Sequence, residues 1–408
     1  MTLSRIGRIS RALVVSMAVV LGMSACGSYT IGFMYVLGTQ YNQIAGMKVD
    51  DYTGNLTTMV NSPYASAGSN PVSVEVSVGG NFLFVVNQGT VNASGQSNHD
   101  GNIAVFDIGE DGILTFQNTY TTPGQTPVWA ETNSSGQYLY VLDSQAPDYA
   151  TTGDGDIAVF EIDNSSGRLQ LVPNELIKNS VGQQLTYFEV GKAPTMFRAN
   201  GTCVYTLDSG DQTVYPYGIG SNGQLVVEIN TTIPLGTVNA TSLNASGNYI
   251  YVTDAGSTMS TGGAILPYTP GPNCTLAVQA DGAVANLPLT ADPVYSMTDA
   301  KDMYLYVVNH GTKNSNYANS TISAFVIEST GQLLPISDPN NPYPIGSGPV
   351  CMVEDPTHQY VYTSNYNDGT VTGKFLNQNT GQLSTLARGS EFQATGLASC
   401  LGMSGNVD

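Results

Sequence analysis

Positive charge is scarce in this 408-residue sequence: 12 Lys and Arg stand against 31 Asp and Glu, and His occurs three times. Charged residues of both signs make up 11% of the chain. A protein so poor in cations has little with which to track a phosphate backbone or hold an anionic bilayer, which excludes nucleic acid and acidic lipid surfaces as partners. The three histidines, His99, His310 and His358, form no cluster with the five cysteines that would suit a structural metal. The Gly-x-Ser-x-Gly elbow, the Walker loop and the His-Glu-x-x-His zinc helix are all missing. The surface must be built mainly from Asn, Ser, Thr, Gln, Gly and Tyr.

Long apolar runs are also missing, apart from one near the start. Arg5, Arg8 and Arg11 precede an uncharged stretch from Ala12 to Val20, followed by Met23-Ser-Ala-Cys26. The run is too short for a membrane span of about 20 residues and has the layout of a cleaved export signal. Its end resembles a bacterial lipobox, with Met23 in the usual leucine place, which would make Cys26 the acylated first residue of the mature chain. Residues 1–25 are then a leader, 26–32 a short linker and 33–408 one domain. Loss of the leader leaves nine basic against 31 acidic residues. Acyl chains attach a protein to a membrane without spanning it.

What is present is a repeat. A short apolar strand occurs seven times, beginning at Phe33, Phe82, Tyr138, Cys203, Tyr249, Tyr304 and Tyr360, as in Tyr304-Leu-Tyr-Val-Val-Asn309. Aromatic and β-branched residues closed by Asn or Asp are strand-then-turn chemistry. Each copy is followed by a second strand and a turn into leucine: Gly54-Asn-Leu, Gly112-Ile-Leu, Gly167-Arg-Leu, Gly223-Gln-Leu, Cys274-Thr-Leu, Gly331-Gln-Leu and Gly381-Gln-Leu. Six copies are preceded by another extended segment, usually opening near a proline. Units of about 50 residues with four strands each are the mark of propeller blades. The fold class is therefore all-β, a seven-bladed β-propeller of four-stranded blades a to d. Since the first unit lacks strand a and the tail Thr395–Asn406 resembles one, the C-terminal strand is expected to join the N-terminal blade and remove the open edges.

The pattern of proline, small apolar strand, Gly turn and Tyr-Val-Tyr-Val-Thr-Asn resembles the YVTN-type propeller repeat. With the Gly-x-Leu turn it resembles the seven-bladed lactonase family of 6-phosphogluconolactonase type, over essentially the whole mature chain. The resemblance implies lactone hydrolysis by side chains directed toward the central cavity. The family's His near the start of strand a has no counterpart here: Pro71-Val-Ser-Val-Glu75 and Pro127-Val-Trp-Ala-Glu131 carry glutamates instead.

Glu75 and Glu131 occupy the same register in adjacent a strands, and Arg198 ends the a segment of the fourth blade. A carboxylate pair suits acid–base work and an arginine an anion. His310, directly after a b strand, is the remaining catalytic candidate. Long b-to-c connections at Gln88–Gly101, Ser144–Gly155, Ala255–Gly262 and His310–Ser320 decorate one face, where loops commonly bind. Asp148, Asp154 and Asp156 in the second of these could supply oxygens to calcium, the one cofactor for which the sequence leaves room; none is required. Besides Cys26, the cysteines allow three full pairings or free thiols. Cys203 and Cys274 fall at facing ends of neighbouring blades, which suits a bridge, whereas Cys351 and Cys400 read as offset by two residues, which counts against one.

These features favour a cell-envelope lipoprotein, exported and lipid-anchored on the periplasmic or outer side, that binds a protein, glycan or envelope component through its loop-rich face. The alternative is an extracytoplasmic lactone hydrolase, a carboxylic-ester hydrolase using the axial carboxylates. Cys26→Ser should abolish incorporation of a labelled fatty acid in an expressing bacterium; undiminished labelling of the variant would remove Cys26 as the anchor.

Overall fold

The computed structural model describes residues 29–178, 182–220, 223–229, 231–256, 263–279, 285–288, 291–313 and 316–405. The leader, Cys26 and residues 257–262 of the third long loop lie outside them. The described chain forms seven antiparallel sheets, each with a four-stranded core, and in every blade but the second one or two short strands are added to it. Blade 2 shows the core alone: strand a Pro71–Val76, b Phe82–Asn87, c Asn102–Ile108 and d Leu114–Tyr120. The a strands of the other blades are Pro127–Thr132, Pro194–Asn200, Ala240–Ser246, Pro293–Thr298 and Pro349–Glu354, for blades 3 to 7. A two-stranded ribbon, Asn174–Lys178 with Gln184–Leu185, is inserted between blades 3 and 4.

Blade 1 is shared between the chain ends. Its b strand is Thr30–Gly38 and its a strand the C-terminal Ala398–Ser404, paired antiparallel from Phe33 with Ser404 to Gly38 with Ala398. Each inner strand packs against the next around the ring, so no blade presents a bare inner edge. The b strands are buried almost throughout, as continuous apolar runs between two sheets must be.

The repeat's two signatures prove to be halves of one contact. In five blades the third residue of the repeated aromatic segment, a tyrosine, donates its hydroxyl to the carbonyl of the Gly-x-Leu glycine in the following blade: Tyr35 to Gly112, Tyr140 to Gly223, Tyr251 to Gly331, Tyr306 to Gly381 and Tyr362 to Gly54, whereas blade 2 has Phe84 there and no such hydrogen bond. Meanwhile the aromatic that opens the segment packs on the same glycine. A Cβ on Gly381, at φ +68°, would stand 2.4 Å from the Tyr304 ring, and one on Gly112, at φ +80°, 2.4 Å from Phe33. Glycine is therefore required twice, for the left-handed backbone and for the approach.

Blade 4 breaks the pattern and explains the fifth turn's missing glycine. Cys203 stands in the place of the first aromatic and Cys274 in the place of the glycine; they are disulfide-bonded, with 5.6 Å between Cα atoms. The covalent bond replaces the ring-on-glycine contact, and the Tyr205 hydroxyl has no hydrogen-bond partner among the described residues. Cys351 and Cys400 are bonded as well, at a Cα separation of 5.1 Å. The expected two-residue offset between them is wrong. The inner strand of blade 1 starts at Ala398 rather than Thr395, so Ala398 and Pro349 occupy equivalent places and both cysteines come two residues later.

Removing one latch hydroxyl leaves a buried carbonyl unpaired, so Tyr306→Phe should lower unfolding stability by about 1–2 kcal/mol in urea titrations. Gly381→Ala, which must also displace Tyr304, should cost more; a smaller effect for Gly381→Ala than for Tyr306→Phe would refute the contact.

Candidate axial site

Strand a runs from the loop-rich face to the a–b turn, with a register irregularity directly after its first residue. Four residues beyond that start, each strand presents one residue opposite the latch position of strand b. In blades 2, 3 and 4 these are Glu75 opposite Phe84, Glu131 opposite Tyr140 and Arg198 opposite Tyr205. In blade 1 the place belongs to Gly402, opposite Tyr35, which contributes no side chain. The result is a cavity of about 240 Å³ on the axis, with Glu75, Glu131, Arg198 and Tyr295 as its polar lining and the Cys351 and Cys400 neighbourhood among its apolar lining.

Arg198 organises the polar side. It is ion-paired with Glu131 Oε1, donates through Nη2 to the Tyr295 hydroxyl at 3.0 Å, and lies over the Trp129 ring, 4.7 Å from its centroid. Trp129 Nε1 donates to the same glutamate oxygen at 3.1 Å. Burial works against the arginine charge, but Glu131, Tyr295 and Glu75 outweigh it and raise its pKa above the ordinary value. Arg198 thus stays charged and fixed in place.

Glu75 differs from Glu131. Its Oε1 accepts the Thr132 backbone N–H at 3.0 Å and the Thr132 hydroxyl at 2.6 Å, and Oε2 has no hydrogen-bond partner among the described residues. Burial pushes its pKa up to about 7; the two Thr132 hydrogen bonds and Arg198 pull it down, while the Glu131 charge adds to the rise. A carboxyl in that range changes charge near neutrality, as a general acid or base must.

Sequence reasoning placed Glu75, Glu131 and Arg198 together near the axis, and they share this cavity. It missed Tyr295, one of 24 tyrosines. The usable signal was register: Tyr295 stands two residues after Pro293, as Trp129 does after Pro127 and Cys351 after Pro349. His310 does not join the group. It lies at the opposite, loop-rich end, 3.5 Å from Asp292 Oδ2 and packed on Tyr317, because a residue following strand b is carried away from the a–b turns. The calcium reading of Asp148, Asp154 and Asp156 also fails as a three-carboxylate cage. Among the described residues no three His, Cys, Asp or Glu side chains stand close enough to share one metal ion. Asp148 precedes the short helix Tyr149–Thr152, and Asp154 pairs across the sheet with Lys192.

Residues 28–185 match the family model described as Lactonase, 7-bladed beta-propeller. No curated protein matches the sequence. Among solved structures, the periplasmic gluconolactonase of Pseudomonas aeruginosa superposes with a TM-score of 0.67 at 16% identity, covering 91% of this chain and 99% of that one. A protein from Lactobacillus plantarum gives 0.67 at 18% identity, covering 92% and 99%. The hydrazine synthase of Kuenenia stuttgartiensis gives 0.53 at 15% identity over 83% and 94%. At such identities these likenesses establish the lactonase-like propeller fold, and the breadth of their names leaves the chemistry to the site.

Proposed function

We propose that the chain hydrolyses a small lactone in the axial cavity, as an exported protein held at the cell envelope through Cys26. The observation that carries this reading is the Glu75 carboxyl: one oxygen anchored by Thr132, the other without a partner among the described residues, and a pKa pushed up to about 7 in the cavity that also holds the Arg198 and Tyr295 donors. In its ionised form Glu75 takes a proton from a water as the water oxygen attacks the lactone carbonyl carbon. The tetrahedral oxyanion draws on the Arg198 and Tyr295 donors. On collapse the ring C–O bond breaks, Glu75 returns the proton to the departing alkoxide, and an open-chain hydroxy acid is released.

The charge lining the cavity bears on the substrate. One guanidinium is already neutralised by Glu131, and Glu75 adds a second carboxylate. That balance disfavours a phosphorylated lactone and suits an uncharged one of sugar size. A second reading is supported by the long loops, which lie at the end of the propeller away from these residues. There a protein, glycan or envelope component would be bound without involving the cavity.

The purified mature protein should open gluconolactone faster than the uncatalysed reaction, with kcat/KM rising as the pH increases through about 7, since the base must be deprotonated. Glu75→Gln should reduce that rate by about 10²-fold or more and remove the pH dependence. A background rate, or one unchanged by the substitution, would leave the loop-face reading in possession.

A further inference from the structure

On the loop-rich face, where strand b ends and strand c begins, most blades carry polar groups that are hydrogen-bonded, although the amide oxygens of Asn87 in blade 2 and Asn309 in blade 6 are each buried without a partner among the described residues. In blade 2, Asn87 lies across from Asn102 and donates to its Oδ1 at 3.0 Å and to the Ser66 carbonyl at 3.0 Å. In blade 7, Asn365 donates to the hydroxyls of Thr370 and Thr372 at 2.9 and 2.8 Å. Asp254 in blade 5 accepts backbone N–H bonds from Val238, Asn239 and Gly256 at 2.9, 2.8 and 2.9 Å.

Blade 3 departs from this. Its pair is Asp143 directly opposite Asp156, two carboxylates with no accessible surface. Asp143 Oδ1 accepts the Thr122 hydroxyl at 2.8 Å and the Gly124 backbone N–H also favours the Asp143 carboxylate, but Asp143 Oδ2 and both oxygens of Asp156 have no hydrogen-bond partner among the described residues. Gly124 covers them closely: a Cβ there would lie 2.5 Å from Asp156 Oδ1. The charges acting on Asp156 are those of Asp143, Asp148 and Glu189, all negative, while Lys192 acts on Asp154 instead.

Three buried acceptors without a donor, in a negative field, require a positive ligand. A single proton shared by the two carboxyls would join two of the three oxygens and leave the third stranded, whereas a divalent ion supplies the charge that both carboxylates lack. We propose that Asp143 and Asp156 bind one divalent cation of the calcium class, pinning strands b and c of blade 3 beneath the Ser144–Gly155 loop. Calcium accepts irregular oxygen geometry and fills a shell of six to eight with carbonyl and water oxygens, as a site with two carboxylates needs. The proposal is independent of the chemistry assigned to the axial cavity.

The test uses the mature protein stripped with a chelator and titrated with calcium alone. Calorimetry should report one site per chain, and saturating calcium should raise the melting temperature by a few degrees over the chelated sample. The double variant Asp143→Asn/Asp156→Asn recreates the Asn–Asn arrangement of blade 2, so it should fold without calcium and lose the calcium-dependent shift. A shift of equal size in the double variant would overturn the site. So would a wild-type melting temperature that ignores calcium but falls as the pH rises through about 8, where burial places the Asp143 pKa, since that is the behaviour of a pair held by protons.

Discussion

The hydrogen bond from a strand b tyrosine to a turn glycine in the next blade is the contact on which the rest of this molecule depends. A single blade has two apolar faces and cannot bury either alone, so the propeller exists only as a ring. Each interface needs something directional to fix one blade's height and tilt against the next, and the Tyr306 to Gly381 bond supplies it where an apolar face by itself would slide. The ring of Tyr304 on the same glycine adds area, and the glycine's positive φ permits both. Where the glycine is replaced, between blades 4 and 5, a disulfide appears at the same two positions.

That latch also places the candidate site. The inner-strand residue opposite each latch position lies at the same register, so Glu75, Glu131 and Arg198 meet with blade 3 fixed to blade 4 by the Tyr140 to Gly223 bond and blade 2 to blade 3 by the Phe82 ring on Gly167. Gly402 at the equivalent place in blade 1 leaves room beside them, and the terminal strand to which it belongs is held through Cys400 to Cys351 in the neighbouring blade. Ring closure and cavity formation are in this sense one event. The cavity is then asymmetric by sequence alone: acid and base from blades 2 to 4, a phenol from blade 6, and apolar side chains from blades 7 and 1.

Much of this was legible in the residues. Seven aromatic strands and seven turns into leucine specify the blade count, and the equal spacing of Glu75 and Glu131 from the ends of their b strands is visible without coordinates. Other features depend on backbone detail that leaves no trace in composition. The irregularity after the first residue of each a strand turns Tyr295 toward Arg198, and nothing in Pro293-Val-Tyr-Ser distinguishes it from a core aromatic. The start of the tail strand decides whether Cys400 faces Cys351, and Thr395-Gly-Leu can be read as strand as easily as Ala398-Ser-Cys. In the sequence Asp143 is one of six Asn or Asp residues that close the apolar strands. Its opposition to Asp156 depends on the pairing of strands b and c across a long loop.

The most direct test of the account is to locate a bound ligand by determining a crystal structure with gluconate, the product of the proposed reaction. The account predicts the molecule in the axial cavity, with its carboxylate against Arg198 and Tyr295 and an oxygen within hydrogen-bonding distance of Glu75 Oε2. Gluconate seated among the loops at the other end of the propeller, with the axial cavity unchanged, would contradict it.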